Sequence, residues 1–398
     1  MKEKLWTLKF ITLILSTFML FLGFQMLLPT LPVYVKDHGG DSTSVGLVIG
    51  MFTITALIIR PFAGSAADRM GRKPILLIGL LITVISIFSY IIVTTVLLLL
   101  LLRLVHGLGW GMSTTIYGTI ASDIVPSDRR GEGMGYFGLS ISIAMMVGPL
   151  LGIWIMNVFG FFILFLLSAL FSIGSLLLSN FKIYDSKGNN PRPANTRPFL
   201  ETLFDVKALF PSLLMLIIAI TYGGIVSFIT LFAEEKQLDN VGWFFFANAL
   251  CLIIIRPIAG KIFDRKGHFL VLFPGGILGI TALFYISYTN SPIDLIVSAI
   301  LYGFSFGLIQ PSLQAWTINR SSPEKRGAAN GTFFSAFDLG IGIGAILLGA
   351  YANFTSYSSM YKLSAFIFVI YLLVYGVYIW VSKNKKTSNK SVKRTISS

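Results

Sequence analysis

Polar and apolar positions in this chain alternate on the scale of whole helices, not single residues. Apolar runs of about 20 residues, long enough to cross a bilayer as a helix, recur from end to end. They lie at 8–31, 43–64, 74–94, 96–119, 133–156, 159–180, 208–232, 241–262, 269–289, 292–316, 328–351 and 359–381. A helix satisfies its own backbone hydrogen bonds and needs no closed sheet to do so in lipid. The pattern therefore predicts an all-α integral membrane protein with twelve transmembrane helices. Breaks such as Thr94–Thr95 and Asn157–Val158 are short. The longest break, at 181–207, contains KIYDSKGNNPRPANTRP, with the Pro, Asn, Gly and Lys content of a flexible linker. It separates two sets of six runs. The expected organisation is an N-terminal six-helix bundle at 1–180, a linker at 181–207, a C-terminal six-helix bundle at 208–382 and a basic tail at 383–398.

A repeat supports the division. The stretch from Arg60, RPFAGSAADRMGRKP, returns from Arg256 as RPIAGKIFDRKG. Arg60, Pro61, Ala63, Gly64, Asp68, Arg69 and Gly71 match Arg256, Pro257, Ala259, Gly260, Asp264, Arg265 and Gly267 at one offset of 196, about half the chain. Each stretch reads as a charged, glycine-containing turn between two apolar runs. Two homologous halves in a membrane protein point to a two-bundle transporter. The halves are expected to be pseudo-symmetric.

Composition narrows the class. Of 398 residues, 55% are hydrophobic and 12% charged, against about 25% charged in a soluble domain. The net charge of +14 could suggest nucleic acid, but its distribution says otherwise. With these spans, nearly all Lys and Arg fall on one side of the membrane, and only Lys36, Lys236 and Lys362 fall on the other. The positive-inside rule then places both termini in the cytoplasm of a multi-pass cell-membrane protein, expected to be bacterial, with the basic tail against anionic lipid and no nucleic-acid partner. The single cysteine, Cys251, excludes an internal disulfide or a cysteine-based metal site, and no metal site is expected.

Polar groups inside apolar runs are the candidates for chemistry. Arg103 and His106 share a face of the fourth helix with Gly107, Trp110 and Gly111. The second half keeps Gly303 and Gly307 but has Ala299 opposite Arg103. Asp338 lies near the middle of the eleventh helix, where the first half has Ser142. It reads either as the partner of a buried arginine such as Arg103 or as a proton carrier, with Arg103 and Asp338 together the candidates for proton coupling. Gly138, Gly148, Pro149 and Gly152 mark close packing and a bend in the fifth helix. Gln25, Trp110, Tyr117, Asn248, Tyr302, Gln310 and Gln314 are the polar and aromatic candidates for a substrate cavity.

The Gly64-x-x-x-Asp68-Arg69-x-Gly71-Arg72-Lys73 pattern, its degenerate second copy, Arg103…Gly107…Gly111 and Gly148-Pro149-x-x-Gly152 together resemble the major facilitator superfamily. The fifth-helix pattern and Pro29…Pro32 are similar to its twelve-helix drug:proton antiporters, the multidrug exporters. The resemblance implies alternating access by two rocking bundles. It also implies a cytoplasmic gate at Gly64, Asp68, Arg69, Gly71, Arg72 and Asp123, with Asp264 and Arg265 in the second copy. His268 stands where the first copy has Arg72, and Gln25 stands where some exporters place an acid. Proton coupling must then rest on another group, such as Asp338.

The function expected is proton-coupled efflux of a small amphipathic or cationic molecule by a monomer. The partners are substrate, protons and membrane lipid, and the proton gradient takes the place of a cofactor. Uptake of a sugar or other nutrient by proton symport is the alternative. No nucleotide loop, metal spacing or nucleophile–base cluster suggests an enzyme.

Overall fold

A computed structural model describes residues 5–126, 130–180, 206–321 and 326–396. The elements in chain order are α1 (Leu8–Leu27), α2 (Leu31–Asp37), α3 (Ser42–Met70), α4 (Arg72–Ser89), α5 (Val96–Ile124), α6 (Arg130–Asn180), α7 (Leu209–Glu235), α8 (Gly242–Lys266), α9 (Phe269–Ser287), α10 (Pro292–Arg320), α11 (Arg326–Phe354) and α12 (Tyr357–Ile396). Among the described residues, eleven helical segments are long and apolar enough to cross a membrane. One of them, α6, is broken at Gly160, where φ is 78°, and makes two crossings. Since α1 and α2 together make one, the fold has twelve.

The structure moves several predicted boundaries. The turn expected at Asn157–Val158 falls at Gly160, because glycine adopts positive φ without a Cβ clash. The stretch from Arg60 is not a turn. It is helical to Met70, and Gly71 alone, at φ 89°, reverses the chain. Gly267, at φ 77°, does the same in the second copy. Helices α3, α5, α8 and α10 thus outrun their apolar stretches. Hydropathy ends where lipid ends, whereas the backbone ladder continues until a glycine or cap stops it. The backbone of α12 likewise stays helical to Ile396, so the expected basic tail prolongs the last span. Its side chains and the linker residues 181–205 lie outside the described residues.

Helix starts are locally encoded. Thr7, Asp41 and Thr95 accept hydrogen bonds from the backbone N–H groups of Phe10, Ser44 and Leu98. Ser291 and Asp294 form a capping box at α10. The carboxyl of Asp41 is held below the usual aspartate range by hydrogen bonds from the Ser44 hydroxyl and N–H.

Packing repeats with the sequence. A β-carbon on Gly107 would collide with the Phe52 carbonyl, and one on Gly303 would stand 2.6 Å from the Asn248 carbonyl. Phe52 and Asn248 differ by the same 196 positions as the two glycines. The two halves meet along two related seams, α3 against α11 and α6 against α8, of which the first is more extensive. At Gly46 the α3 backbone approaches so closely that a β-carbon would collide with the Ala345 carbonyl. Ser42 and Tyr357 hydroxyls bond at 2.9 Å across the same end. That end lies opposite the side carrying most Lys and Arg, here called the basic side. It is therefore drawn shut along α3 and α11. Beside it a crevice of about 350 Å³ opens between Asp41 and Ser42 of one half and Glu235 and Tyr357 of the other.

Candidate functional site

Between the halves lies a small central cavity of about 30 Å³, room for one or two waters and no more. Gln25 of α1 lines it, with Tyr222 of α7, Asn248 of α8 and Tyr302 of α10. Met145, Pro149, Phe244 and Phe245 complete much of the apolar wall. Asn248 donates to the Ala299 carbonyl at 3.3 Å, and the Tyr302 hydroxyl meets Thr221 Oγ1 at 3.4 Å. Tyr222 stacks on Phe306 with centroids 4.8 Å apart. The site thus presents polar groups at several points of an aromatic wall.

The fifth-helix glycines explain how the wall is built. A β-carbon on Gly148 would stand 2.5 Å from Gln25 Cβ, and one on Gly152 would strike the Met26 carbonyl. α1 therefore lies directly on α6, and Gln25 is pressed to the cavity edge beside Pro149. Gly138 faces open space and makes no such approach.

Four charged side chains lie deep in the apolar spans of the described residues: Arg60, Arg103, Arg256 and Asp338. Asp338 of α11 pairs with Arg60 of α3 at 2.8 Å, and the pair bridges the two halves. Asp338 therefore does have an arginine partner, but that partner is Arg60 and not Arg103. Arg103 is 1% exposed within its own half. Its Nε donates to the Val48 carbonyl at 3.0 Å, and its guanidinium lies 4.1 Å above the Phe52 ring. His106 contacts Arg103 Nη1 at 3.5 Å and the Tyr90 hydroxyl at 2.8 Å. This cluster ties α5 to α3 and the end of α4.

Arg256 of α8 occupies the place that Arg60 holds in the other half. Its Nη1 donates to Ser142 of α6 at 2.9 Å, again across the halves, and its Nη2 to Gln310 at 3.4 Å. Arg60 with Asp338 and Arg256 with Ser142 are one contact repeated at the offset of 196. The repeat of Arg60 as Arg256 and of Ser142 as Asp338 was visible in the sequence, but nothing in the sequence paired them.

The structure separates the remaining cavity candidates. Gln25, Asn248 and Tyr302 line the cavity, and Gln310 lies beneath it on Arg256. Trp110 is stacked on Phe24 at 4.0 Å and Tyr117 bonds to Ser16, Ser175 and Ser179, so both belong to the core of the first half. Gln314 is half-buried one turn beyond Gln310 and does not line the cavity. Tyr222, Phe244 and Phe245 line it without having been singled out, since apolar and aromatic residues are everywhere in such a sequence.

At the expected gate, Arg72 and Asp123 form an ion pair, each about one-third exposed. It joins the start of α4 to the end of α5 within one half. The side chains of Asp68 and Arg69 lie outside the described residues. Asp264 and Arg265 are exposed. In the second half His268 stacks on Trp316 at 4.2 Å and meets the Tyr375 hydroxyl at 2.7 Å. No group of three or more His, Cys, Asp or Glu among the described residues could hold a metal ion.

The sequence model of the Major Facilitator Superfamily matches residues 13–344 and 277–398. The chain belongs to the major facilitator superfamily. Members are multi-pass transporters of small molecules, not enzymes. The chain is 24% identical over 376 residues to the staphylopine export protein of Staphylococcus aureus, covering 92% of this chain and 94% of that protein. It is 25% identical over 346 residues to the quinolone resistance protein NorA of the same species, covering 84% and 87%. An uncharacterised MFS-type transporter of Methanocaldococcus jannaschii is 23% identical over 372 residues, covering 91% and 95%. The fold is shared with the nucleoside transporter NupG, at a TM-score of 0.72 and 19% identity over 93% of this chain and 99% of that one. It is shared equally with a peptide transporter of the POT type, at 0.76 and 15% over 94% and 95%.

Proposed function

We propose that this member of the superfamily is a monomeric, proton-driven exporter of small amphipathic molecules in a bacterial cell membrane, with its basic side and both termini in the cytoplasm. The observation that carries the reading is the ion pair between Arg60 and Asp338. It is a charged tie across the moving interface, and its strength depends on one proton. With Asp338 ionised, α3 and α11 are held together while the opposite side is shut. In the state with that seam open, Asp338 takes up a proton from the outer side, and closing the seam onto Arg60 drives that proton into the cytoplasm-facing cavity. Proton entry and bundle movement are thereby linked. Protons and substrate use the same interface, since the cavity lies between the halves that this seam joins.

Export is supported by Gly148, Pro149 and Gly152, which press α1 against α6 at the cavity edge. A close joint there limits proton leak while the cavity faces the cytoplasm. The printed names of two relatives, an export protein and a drug-resistance protein, agree with this direction. The expected cationic substrate finds less support than the amphipathic one. The described interior has one carboxylate, Asp338, and Arg60 already holds it.

Inside-out vesicles with an acidic lumen should accumulate a fluorescent amphipathic dye, and a protonophore should stop them. Accumulation by right-side-out vesicles in acidic medium would instead establish uptake by symport.

A further inference from the structure

Arg256 stands one helical turn from Leu252 on the face of α8 that lines the cavity, displaced toward the basic side. Ser142 lies in the same relation to Met145 on α6, and Gln310 lies farther along α10 from Tyr302. These three side chains do not line the cavity itself; they meet one another just beneath it, one to two turns nearer the basic side. Both acceptors facing Arg256 are neutral, and the bond to Gln310 is long at 3.4 Å. The Nε–H is buried without any acceptor. No carboxylate pairs with Arg256 among the described residues. A guanidinium offers five donors in a planar fork that matches a carboxylate edge. In the related seam Arg60 likewise keeps a buried Nε without an acceptor, but its Nη2 meets a carboxylate, Asp338, at 2.8 Å. In the Arg256 seam the protein supplies a serine hydroxyl instead.

We propose that Arg256 is the substrate-recognition residue for a carboxylate, and that the substrate's own anionic group fills the place Asp338 holds in the other seam. A carboxylate engaging Nε and Nη together would replace two neutral bonds with a charge-assisted bidentate pair. The cavity in this state admits only water, so the apolar body would enter as the halves part, against Pro149, Phe244, Phe245 and Tyr222. The substrate class is therefore an amphipathic carboxylate or zwitterion with a flat apolar body. This deepens the transport reading and rests on it.

The test is thermal unfolding of the purified full-length protein in detergent, titrated with sodium benzoate or with benzamide at matched sodium chloride. Benzoate should raise the unfolding temperature of the wild type and benzamide should not. Arg256→Gln should abolish the benzoate response. Ser142→Asp should abolish it too, by placing a carboxylate on Arg256 as Asp338 is placed on Arg60, while Ser142→Ala should keep it. Because Ser142→Asp copies an arrangement the fold already contains, it guards against a misfolded Arg256→Gln. Equal responses to benzoate and benzamide, no response to either, or a benzoate response surviving both changes would overturn the subsite. A benzoate response with no proton-driven dye movement in vesicles would overturn the coupling reading and leave the subsite standing. Dye movement without a benzoate response would do the reverse.

Discussion

The two seams between the halves are built from one plan and differ in one charge. In both, an arginine from the second or eighth span crosses to a residue on the eleventh or fifth. On the α3 and α11 seam that residue is Asp338, and on the α6 and α8 seam it is Ser142. The first seam is long and close, with the Gly46 backbone against Ala345. The second makes a looser approach at Gly242, where the nearest atom to a β-carbon is the flexible Leu150 Cδ1 at 2.9 Å. Duplication supplied the scaffold, and substitution divided the labour. One seam carries an ion pair, and the other leaves Arg256 on two neutral acceptors beneath the cavity. The two copies of the repeated stretch diverge in the same way. Arg72 and Asp123 pair by charge, whereas the equivalent His268 and Asn319 lack a carboxylate, and His268 stacks on Trp316.

Removing the distinguishing charge should have the largest effect. Asp338→Asn should reduce proton-driven dye accumulation to background while the protein still inserts. Unchanged accumulation with an unchanged pH profile would remove Asp338 from the coupling. Exchange without a gradient should survive better than uphill transport, which separates a coupling role from a purely structural one.

The next comparison is steric. Gly46→Leu should hold the α3 and α11 seam apart, because overpacking against a backbone carbonyl has no side chain to yield, and should cost about 1–3 kcal/mol. Gly242→Ala should cost clearly less, since Leu150 can rotate. Unfolding temperatures of the two variants, with cysteine labelling at Ser42 to report opening, would check the order. A more stable Gly46→Leu than Gly242→Ala protein would contradict the assigned seam geometry.

A smaller effect on stability is expected at the gate. Asp123→Asn breaks a pair that is one-third exposed, worth about 0.2–1 kcal/mol. It should slow transport more than it lowers stability. Asp264→Asn in the second copy should do less to transport, since Asp264 is exposed and its loop has His268 where the first copy has Arg72. Parallel transport rates at matched expression decide the point.

The smallest effect concerns His268, which lies between the eighth and ninth spans. Burial, and then the charge of Arg320, hold its imidazole below the ordinary value. The folded protein therefore keeps His268 neutral when the unfolded chain, near pH 6.5, begins to take up the proton. Stability from this group is present above that pH and is lost as pH falls below it. His268→Gln should flatten that part of the unfolding profile between neutral and mildly acid pH. An identical slope in wild type and variant would exclude His268 as its source.

The sequence by itself determined the all-helical membrane class, the number of crossings and the family. These follow from the length of apolar runs, the cost of charge in lipid and a repeat at one offset, all of which are local or additive along the chain. It also marked Asp338 and Arg103 as unusual, because a charge inside an apolar run is conspicuous wherever it points. Only the tertiary structure decided where those charges go. Arg103 turned inward to the Val48 carbonyl and Phe52 within its own half, and Asp338 found Arg60 in the other. The pairing depends on how two bundles are docked, and no spacing along either helix encodes that. The same holds for Trp110 and Tyr117, which helix periodicity could not distinguish from cavity residues, and for Arg256, whose contacts beneath the cavity arise only where α6, α8 and α10 converge.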